Sequence, residues 1–135
     1  MRTELYVPIE YHTRRIDGQR LSWEVSRLRA LSSELAPAEI PLDSIFEFDQ
    51  VYWFDAEYLP TCRSVVDHAR RIQAADLSDP ILLSHDGYVI DGMHRVARAF
   101  LDGLAGIRAV RLSEYPDPDR LYPVGGENVT GASTG

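Results

Sequence analysis

The stretch that decides the fold covers residues 88–95 and reads Tyr88-Val89-Ile90-Asp91-Gly92-Met93-His94-Arg95. Its apolar start is typical of a short strand, and Val96, Phe100 and Leu101 continue beyond it at helical spacing. We therefore predict a strand that passes through Gly92 into a helix. The first amides of a helix lack intrahelical partners and favour anions, and a glycine lets a ligand approach the backbone closely.

His94 and Arg95 strengthen the prediction that this turn holds a phosphate. Both are hydrogen-bond donors in the first helical turn, where a basic side chain opposes the helix dipole, so that an anionic ligand would relieve the conflict. The alternative is a tight structural turn in which Arg95 pairs with a neighbouring carboxylate and His94 faces solvent. The local pattern leaves both interpretations open.

The segments around the turn predict an α/β (α+β) fold with a small mixed sheet and packed helices. Two short apolar strands, 80–84 and 88–91, flank the turn residues 85–87, and alternation predicts another strand over 106–112. Thr61 is placed to cap a helix. The apolar face predicted for that helix consists of Val65, Val66, Ala69 and Ile72.

The first forty residues predict a strand and a helix. Residues 5–11 alternate between apolar and polar side chains, and Pro8 would confine such a strand to a sheet edge. Asp17-Gly18 could close a hairpin or lead into the next helix, and both alternatives stay open. Ser22 is a candidate N-cap for a helix that ends before Pro37.

Composition excludes several functional classes. The 135 residues carry 21 acidic and 14 basic side chains, and the formal charge of −7 disfavours nonspecific binding to a nucleic-acid backbone. All basic residues are arginine, which excludes chemistry that needs a lysine, and the single cysteine, Cys62, excludes an internal disulfide. The lack of a long apolar run and of a secretory signal in residues 1–10 leads us to expect a cytoplasmic protein without a membrane partner.

Residues 39–112 resemble the ParB/sulfiredoxin superfamily. The matching pieces are the segment 40–45, the helix 64–75, the strand 79–83 and the turn 87–95 followed by Val96-Ala97-Arg98-Ala99. The resemblance implies one compact domain over residues 39–123, preceded by an extension over 1–38. The Gly-, Ser- and Thr-rich composition after residue 124 predicts a flexible tail over 124–135.

The resemblance also bears on activity. Sulfiredoxin-like members carry a cysteine where this chain has Met93, which cannot act as a thiolate nucleophile. ParB proteins continue into a DNA-reading module, for which we expect no counterpart after the final strand. The turn is most similar to that of the free-serine kinases, which reads Asp-Gly-His-His-Arg. The similarity implies phosphate contacts at Gly92, Met93, His94 and Arg95, with His94 also placed among the catalytic residues.

Similarity to the kinases further implies that Asp91 takes part in the chemistry and holds Mg²⁺, since phosphoryl transfer needs a carboxylate to accept a proton or bind the metal. Glu47 or Asp49 would supply a second catalytic carboxylate, and the register leaves that choice open. A solvated loop carboxylate is the alternative for each of the two.

We therefore expect a nucleotide-dependent phosphotransferase or phosphohydrolase that acts on a small hydroxylated metabolite, with ATP, ADP or another nucleotide and Mg²⁺ as cofactors. The alternative is a ParB-like module that senses a nucleotide or docks on a partner without turnover; DNA-binding or nuclease activity ranks last because of the negative charge.

Two groups of residues receive no catalytic role. His12, His68 and His85 have no metal-ligand spacing and are expected at the surface or in turns. The aromatic residues between positions 52 and 58 are interpreted as core or as a contact in a homodimer, with stacking on a nucleotide base as the lesser alternative.

Overall fold

The computed structural model describes residues 8–123 and has a mixed α/β architecture, as the sequence predicted. Three α-helices accompany one three-stranded and one four-stranded sheet. The described chain divides into two units: residues 8–33 with 116–123 form the first, and residues Glu34–Tyr115 form the second.

The first unit is a three-stranded antiparallel sheet with one short helix. Strands β1 (Tyr11–Ile16) and β2 (Gln19–Glu24) are followed by helix α1 (Val25–Leu31), and the last strand of the chain, β7 (Arg120–Pro123), pairs with β2. The strand order is therefore β1-β2-β7. This arrangement buries Trp23, whose indole nitrogen donates to the Pro116 carbonyl at 2.8 Å.

The structure resolves the alternatives at Asp17-Gly18 in favour of a hairpin. Both residues have positive φ, 51° and 74°, as a two-residue turn between right-twisted strands requires. Ser22 does not cap a helix, contrary to the prediction, because it lies inside β2 with its hydroxyl 2.8 Å from that of Thr13. The helix begins at Val25, after an N-cap residue whose side chain makes no capping hydrogen bond.

The carboxyl-terminal boundary of the predicted main domain also differs from the observed division. Residues 116–123 belong with the amino-terminal unit, since β7 completes its sheet and Asp119 pairs with Arg27 at 3.1 Å. Pairing between segments about a hundred residues apart leaves no local signature in the sequence.

The second unit carries the predicted phosphate turn. Its elements are strand β3 (Ala38–Pro41), 3-10 helices at Leu42–Ser44 and Phe46–Asp49, helix α2 (Cys62–Ala74), strands β4 (Ile81–Leu83) and β5 (Val89–Asp91), helix α3 (Met93–Leu101) and strand β6 (Gly106–Arg111). The strand order is β3-β6-β4-β5. Only the β4–β6 pair is parallel, and α3 lies in the connection between these two strands.

Helix α3 packs its buried face, Met93, Val96 and Ala99, into the core of this unit. The other buried members of this core are Leu42, Ile45, Ile81, Leu83, Val89, Ile107 and Ala109. Burying these aliphatic side chains is the main force that fixes the β5–α3 turn against the sheet.

Helix α2 has the predicted start but a different buried face. Thr61 caps it as predicted, its hydroxyl accepting from the Ser64 amide at 3.1 Å. Val65 and Val66, assigned to the inner face, are 49% and 54% exposed, whereas Ser64 and His68 are buried. The prediction was wrong because it counted only aliphatic residues, while this helix packs through an imidazole against aromatic rings.

Two predictions fall partly or wholly outside the described residues. The tail over 124–135 lies wholly outside them, and so do residues 5–7 of the strand expected over residues 5–11. The described part of that prediction was wrong, because residues 8–10 are not in a strand and the first strand observed begins at Tyr11. Across residues 8–123, no helix has the length and apolar character needed to cross a membrane.

Candidate functional site

The predicted strand-to-helix turn is present. Strand β5 ends at Asp91, Gly92 adopts φ 119°, and α3 begins at Met93. A Cβ built on Gly92 would lie 2.6 Å and 2.9 Å from two side-chain carbons of Ile81. Both the left-handed backbone and the close packing therefore require glycine at this position.

The start of α3 has no cap from its own side chains. Gly92 offers no capping group, and the first helical turn contains no acidic residue. The first amide with a backbone partner is that of Val96, which donates to the Gly92 carbonyl at 3.0 Å. For the amides of Met93, His94 and Arg95, no acceptor is found within residues 8–123. These three donors are the groups that an anion at a helix start would engage.

The Arg95 side chain is held by protein groups. Its guanidinium donates to the carbonyls of Asp79 and Pro80 at 2.9 Å and 3.1 Å, and pairs with Asp79 Oδ2 at 2.9 Å and Asp91 Oδ1 at 3.4 Å. The side chain is only 11% exposed. This is the carboxylate pairing given above as the alternative for Arg95. These contacts use Nη1 and Nη2, and the phosphate contact expected for this side chain stays a prediction.

His94 is packed against a second histidine and a tryptophan. Its Nε2 lies 2.7 Å from Nδ1 of His68 on α2, and the two rings are within 16° of coplanar. The indole of Trp53 covers both imidazoles, with ring centroids 4.5 Å from His68 and 4.6 Å from His94. Phe54 and Tyr58 approach the His68 ring at steep angles. We call Trp53, Phe54, Tyr58, His68 and His94 the imidazole cluster.

Both imidazoles of the cluster favour the neutral form. Burial, together with the neighbouring His68, Arg71 and Arg95, lowers the pKa of His94 to about 4. Burial also lowers the pKa of His68, with Arg71 adding to the effect and Asp67 opposing it. At neutral pH the His94 ring is therefore uncharged and donates through an N–H group. The sequence had suggested a basic side chain at this position of the turn.

Sequence reasoning missed His68 and the buried position of His12. His68 was expected at the surface but is 8% exposed, and His12 is buried beside Trp23. His85 is exposed, as expected. The available signal for His68 was its i,i+4 spacing from Ser64, since both face inwards from α2. Because polar residues are usually exposed, His68 was expected on the outer face of this helix.

Of the two candidate carboxylates on the second 3-10 helix, the structure brings Glu47 to β5. Its Oε1 accepts from the Val89 amide at 2.6 Å, and the Tyr52 hydroxyl donates to the Val89 carbonyl at 2.8 Å. Asp49 is exposed on the same 3-10 helix. Glu47 therefore has a structural partner, whatever further role it takes.

A metal ion would find few protein ligands here. The described residues contain no cluster of three or more His, Cys, Asp or Glu side chains suited to a metal. Asp91, partly exposed and beside the uncapped helix start, could supply one carboxylate to Mg²⁺ whose other ligands come from phosphates and water. Such shared coordination is usual for Mg²⁺ with nucleotides.

Comparisons with family models, with curated proteins and with solved structures give no match to this chain. The resemblance to the ParB/sulfiredoxin superfamily therefore stays an expectation from the sequence. What the site can do has to be argued from its own geometry.

Proposed function

We propose that the β5–α3 turn binds a phosphate group of a nucleotide, and that the protein is a nucleotide-dependent phosphotransferase or phosphohydrolase acting on a small hydroxylated metabolite. The observation that carries this proposal is the uncapped start of α3, where the amides of Met93, His94 and Arg95 lack partners among residues 8–123 and no acidic side chain lies in the first turn. An anion satisfies such donors and complements the helix dipole.

The side chains around the turn have distinct roles in this proposal. The uncharged imidazole of His94 donates a hydrogen bond to the phosphate. Asp91 accepts the proton of the attacking hydroxyl or shares Mg²⁺ with the phosphates. A Cβ built on Gly92 would be 3.2 Å from the Arg95 Nε, so this guanidinium, paired with Asp79 and Asp91, lies beside the turn. Glu47 keeps the adjacent strand in place.

The test is a thermal-shift screen of nucleotides with Mg²⁺. We expect one nucleotide class to raise the melting temperature of the wild type, and His94→Leu to reduce the shift. His85→Gln, which changes an exposed histidine away from the turn, is the matched control and should retain it. No shift with any nucleotide at millimolar concentration would reject the proposal.

Turnover is measured separately, with the nucleotide found in the screen and a panel of serine-like hydroxylated metabolites. Release of phosphate or formation of a phosphorylated metabolite, detected by ³¹P NMR, supports catalysis. We expect Asp91→Asn to retain binding and lose turnover, because the amide keeps the shape of the side chain but cannot accept the proton.

A second candidate is a module that binds a nucleotide or a protein partner without turnover. It is favoured by the pairing of Asp79 and Asp91 with Arg95 and by the bond between Glu47 and the Val89 amide, which give three nearby carboxylates structural partners. This candidate expects binding that survives Asp91→Asn and no product with any acceptor. Sedimentation with and without the nucleotide reports whether the same chain pairs with a second copy.

A further inference from the structure

The imidazole cluster leaves two ring nitrogens outside the bond between His68 and His94. Nε2 of His68 is buried and has no hydrogen-bond partner among the described residues. Nδ1 of His94 also has no partner there, but it is not one of the fully buried unpartnered atoms, so it keeps some access to solvent. The pair therefore has one enclosed end and one end with some access to solvent.

The enclosed end decides which nitrogens carry protons. A neutral imidazole has one N–H donor and one bare acceptor nitrogen, and the bridge between the rings holds one proton. If His94 donated in the bridge, His68 would carry its own N–H on the enclosed Nε2, where no acceptor is available. If His68 donates through Nδ1, its enclosed nitrogen is bare. Orphaned buried N–H groups are rarer in proteins than under-satisfied acceptors, so the second arrangement is favoured.

The second arrangement fixes the state of His94 as well. Its Nε2 accepts in the bridge, so its proton lies on Nδ1, the atom that keeps some access to solvent. The charged groups that act on the pair are Asp67 and Arg71 from α2 and Arg95 from α3, and the segment before α2 adds only the ring of Tyr58, which contacts His68. The two guanidinium groups disfavour further protonation, which keeps one proton on each ring at neutral pH.

We propose that His68 is a positioning residue, which holds His94 in the Nδ1–H tautomer and so presents a neutral N–H donor to an anionic ligand at the β5–α3 turn. Trp53 is stacked on both rings and so restrains them to nearly parallel planes. The tautomer of His94 is independent of the proposed function, whereas its role as a donor to a phosphate rests on that function.

The tautomers are read directly by long-range ¹H–¹⁵N NMR of the ligand-free wild type at pH 7, with His68→Asn and His94→Gln used for assignment. We expect a protonated Nδ1 and a bare Nε2 on both His68 and His94. A protonated Nε2 on either ring, or averaging between two tautomers, would overturn the assignment. Because the wild type is measured, the result does not depend on whether a variant folds.

The positioning role is tested with two substitutions of His68. His68→Asn keeps an amide donor at the same distance from the backbone as Nδ1, while His68→Phe keeps the aromatic packing and removes the donor. With the nucleotide identified by the thermal-shift screen, we expect His68→Phe to weaken binding about tenfold, as for loss of one oriented hydrogen bond to a charged group, and His68→Asn to restore most of it.

The two proposals fail in different ways. Equal affinity of the wild type and His68→Phe would overturn the positioning role while leaving the nucleotide site intact. If no nucleotide binds the wild type, the proposed function and the phosphate-donor role are rejected together, and the NMR result alone decides the tautomer.

Discussion

Helices α2 and α3 begin in opposite ways within the same unit. The start of α2 is closed by its own side chains, since Thr61 accepts from the Ser64 amide and the Ser64 hydroxyl donates to the Thr61 carbonyl. The start of α3 has a glycine and leaves three amides without a partner in the described chain. The start of α2 uses its amides within the protein, whereas the start of α3 leaves donors available, which is why the proposed phosphate site lies at α3 and not at α2.

Among the residues at the two helix starts, Gly92 should show the largest loss of stability on substitution. We expect Gly92→Ala to destabilise the protein by about 3 kcal/mol or more, because a left-handed backbone and the contact with Ile81 both oppose a Cβ. Gly103→Ala is the matched control: its φ is 75°, but a Cβ would meet nothing within 4 Å. It should cost only about 1 kcal/mol. Urea unfolding measures both, and equal losses would contradict the packing argument.

The Arg95 contacts should come next in size. We expect Arg95→Met to cost about 2 kcal/mol, because two carbonyls lose a donor and two carboxylates lose their cation in a largely buried position. Arg70→Met removes the exposed pair with Asp67 on α2 and should cost less than about 0.5 kcal/mol. If both variants unfold at the same urea concentration, the guanidinium of Arg95 is not structural.

The imidazole bridge should make stability depend on pH. The pKa of His94 is lowered from 6.5 to about 4 in the folded protein, so between these values the unfolded chain binds a proton that the folded chain does not. The contribution of the neutral His94 ring to the free energy of unfolding should be fully present above pH 6.5 and should be lost as the pH drops towards 4. Allowing for the partial exposure of the ring, we expect this contribution to be about 1–2 kcal/mol.

This pH dependence is measured by urea unfolding between pH 7 and pH 4. His94→Gln should show a shallower fall than the wild type, since the titrating ring is gone. His85→Gln, the exposed histidine control, should keep the wild-type slope. A parallel fall in all three proteins would assign the effect to other groups.

The smallest effect is expected at the closed helix start. Thr61→Ala removes the cap of α2 and should cost about 1 kcal/mol, whereas Thr61→Ser keeps a hydroxyl and should lose only a fraction of that. The nucleotide-induced thermal shift should be unchanged in both variants. A loss of that shift in Thr61→Ala would mean that the start of α2 takes part in binding.

Several local features of this fold could be predicted from the sequence, although the prediction of a cap at Ser22 was wrong. The Thr61 cap, the strands around residues 85–87 and the passage from β5 through Gly92 into α3 all follow from short-range patterns, and the structure contains each of them. These features depend on neighbouring residues along the chain, which a sequence displays directly.

The features that the sequence did not reveal depend on distant partners. Residues 120–123 pair with β2, and His68 is buried with its ring bonded to that of His94, 26 positions away, under Trp53. Periodicity locates a helix but gives no information about which neighbour compensates a buried polar group. Val65 and Val66 were therefore placed inside and His68 outside, the reverse of what the packing requires.

Two side chains bond to the backbone of Val89 on an edge strand of the four-stranded sheet. Strand β5 lies at the margin of its sheet, and the amide and carbonyl of Val89 are occupied by Glu47 and Tyr52. An open margin of this kind is a template on which another polypeptide can add a strand and begin aggregation. Two side chains thus occupy the backbone groups of Val89 that an added strand would need in order to pair at this position.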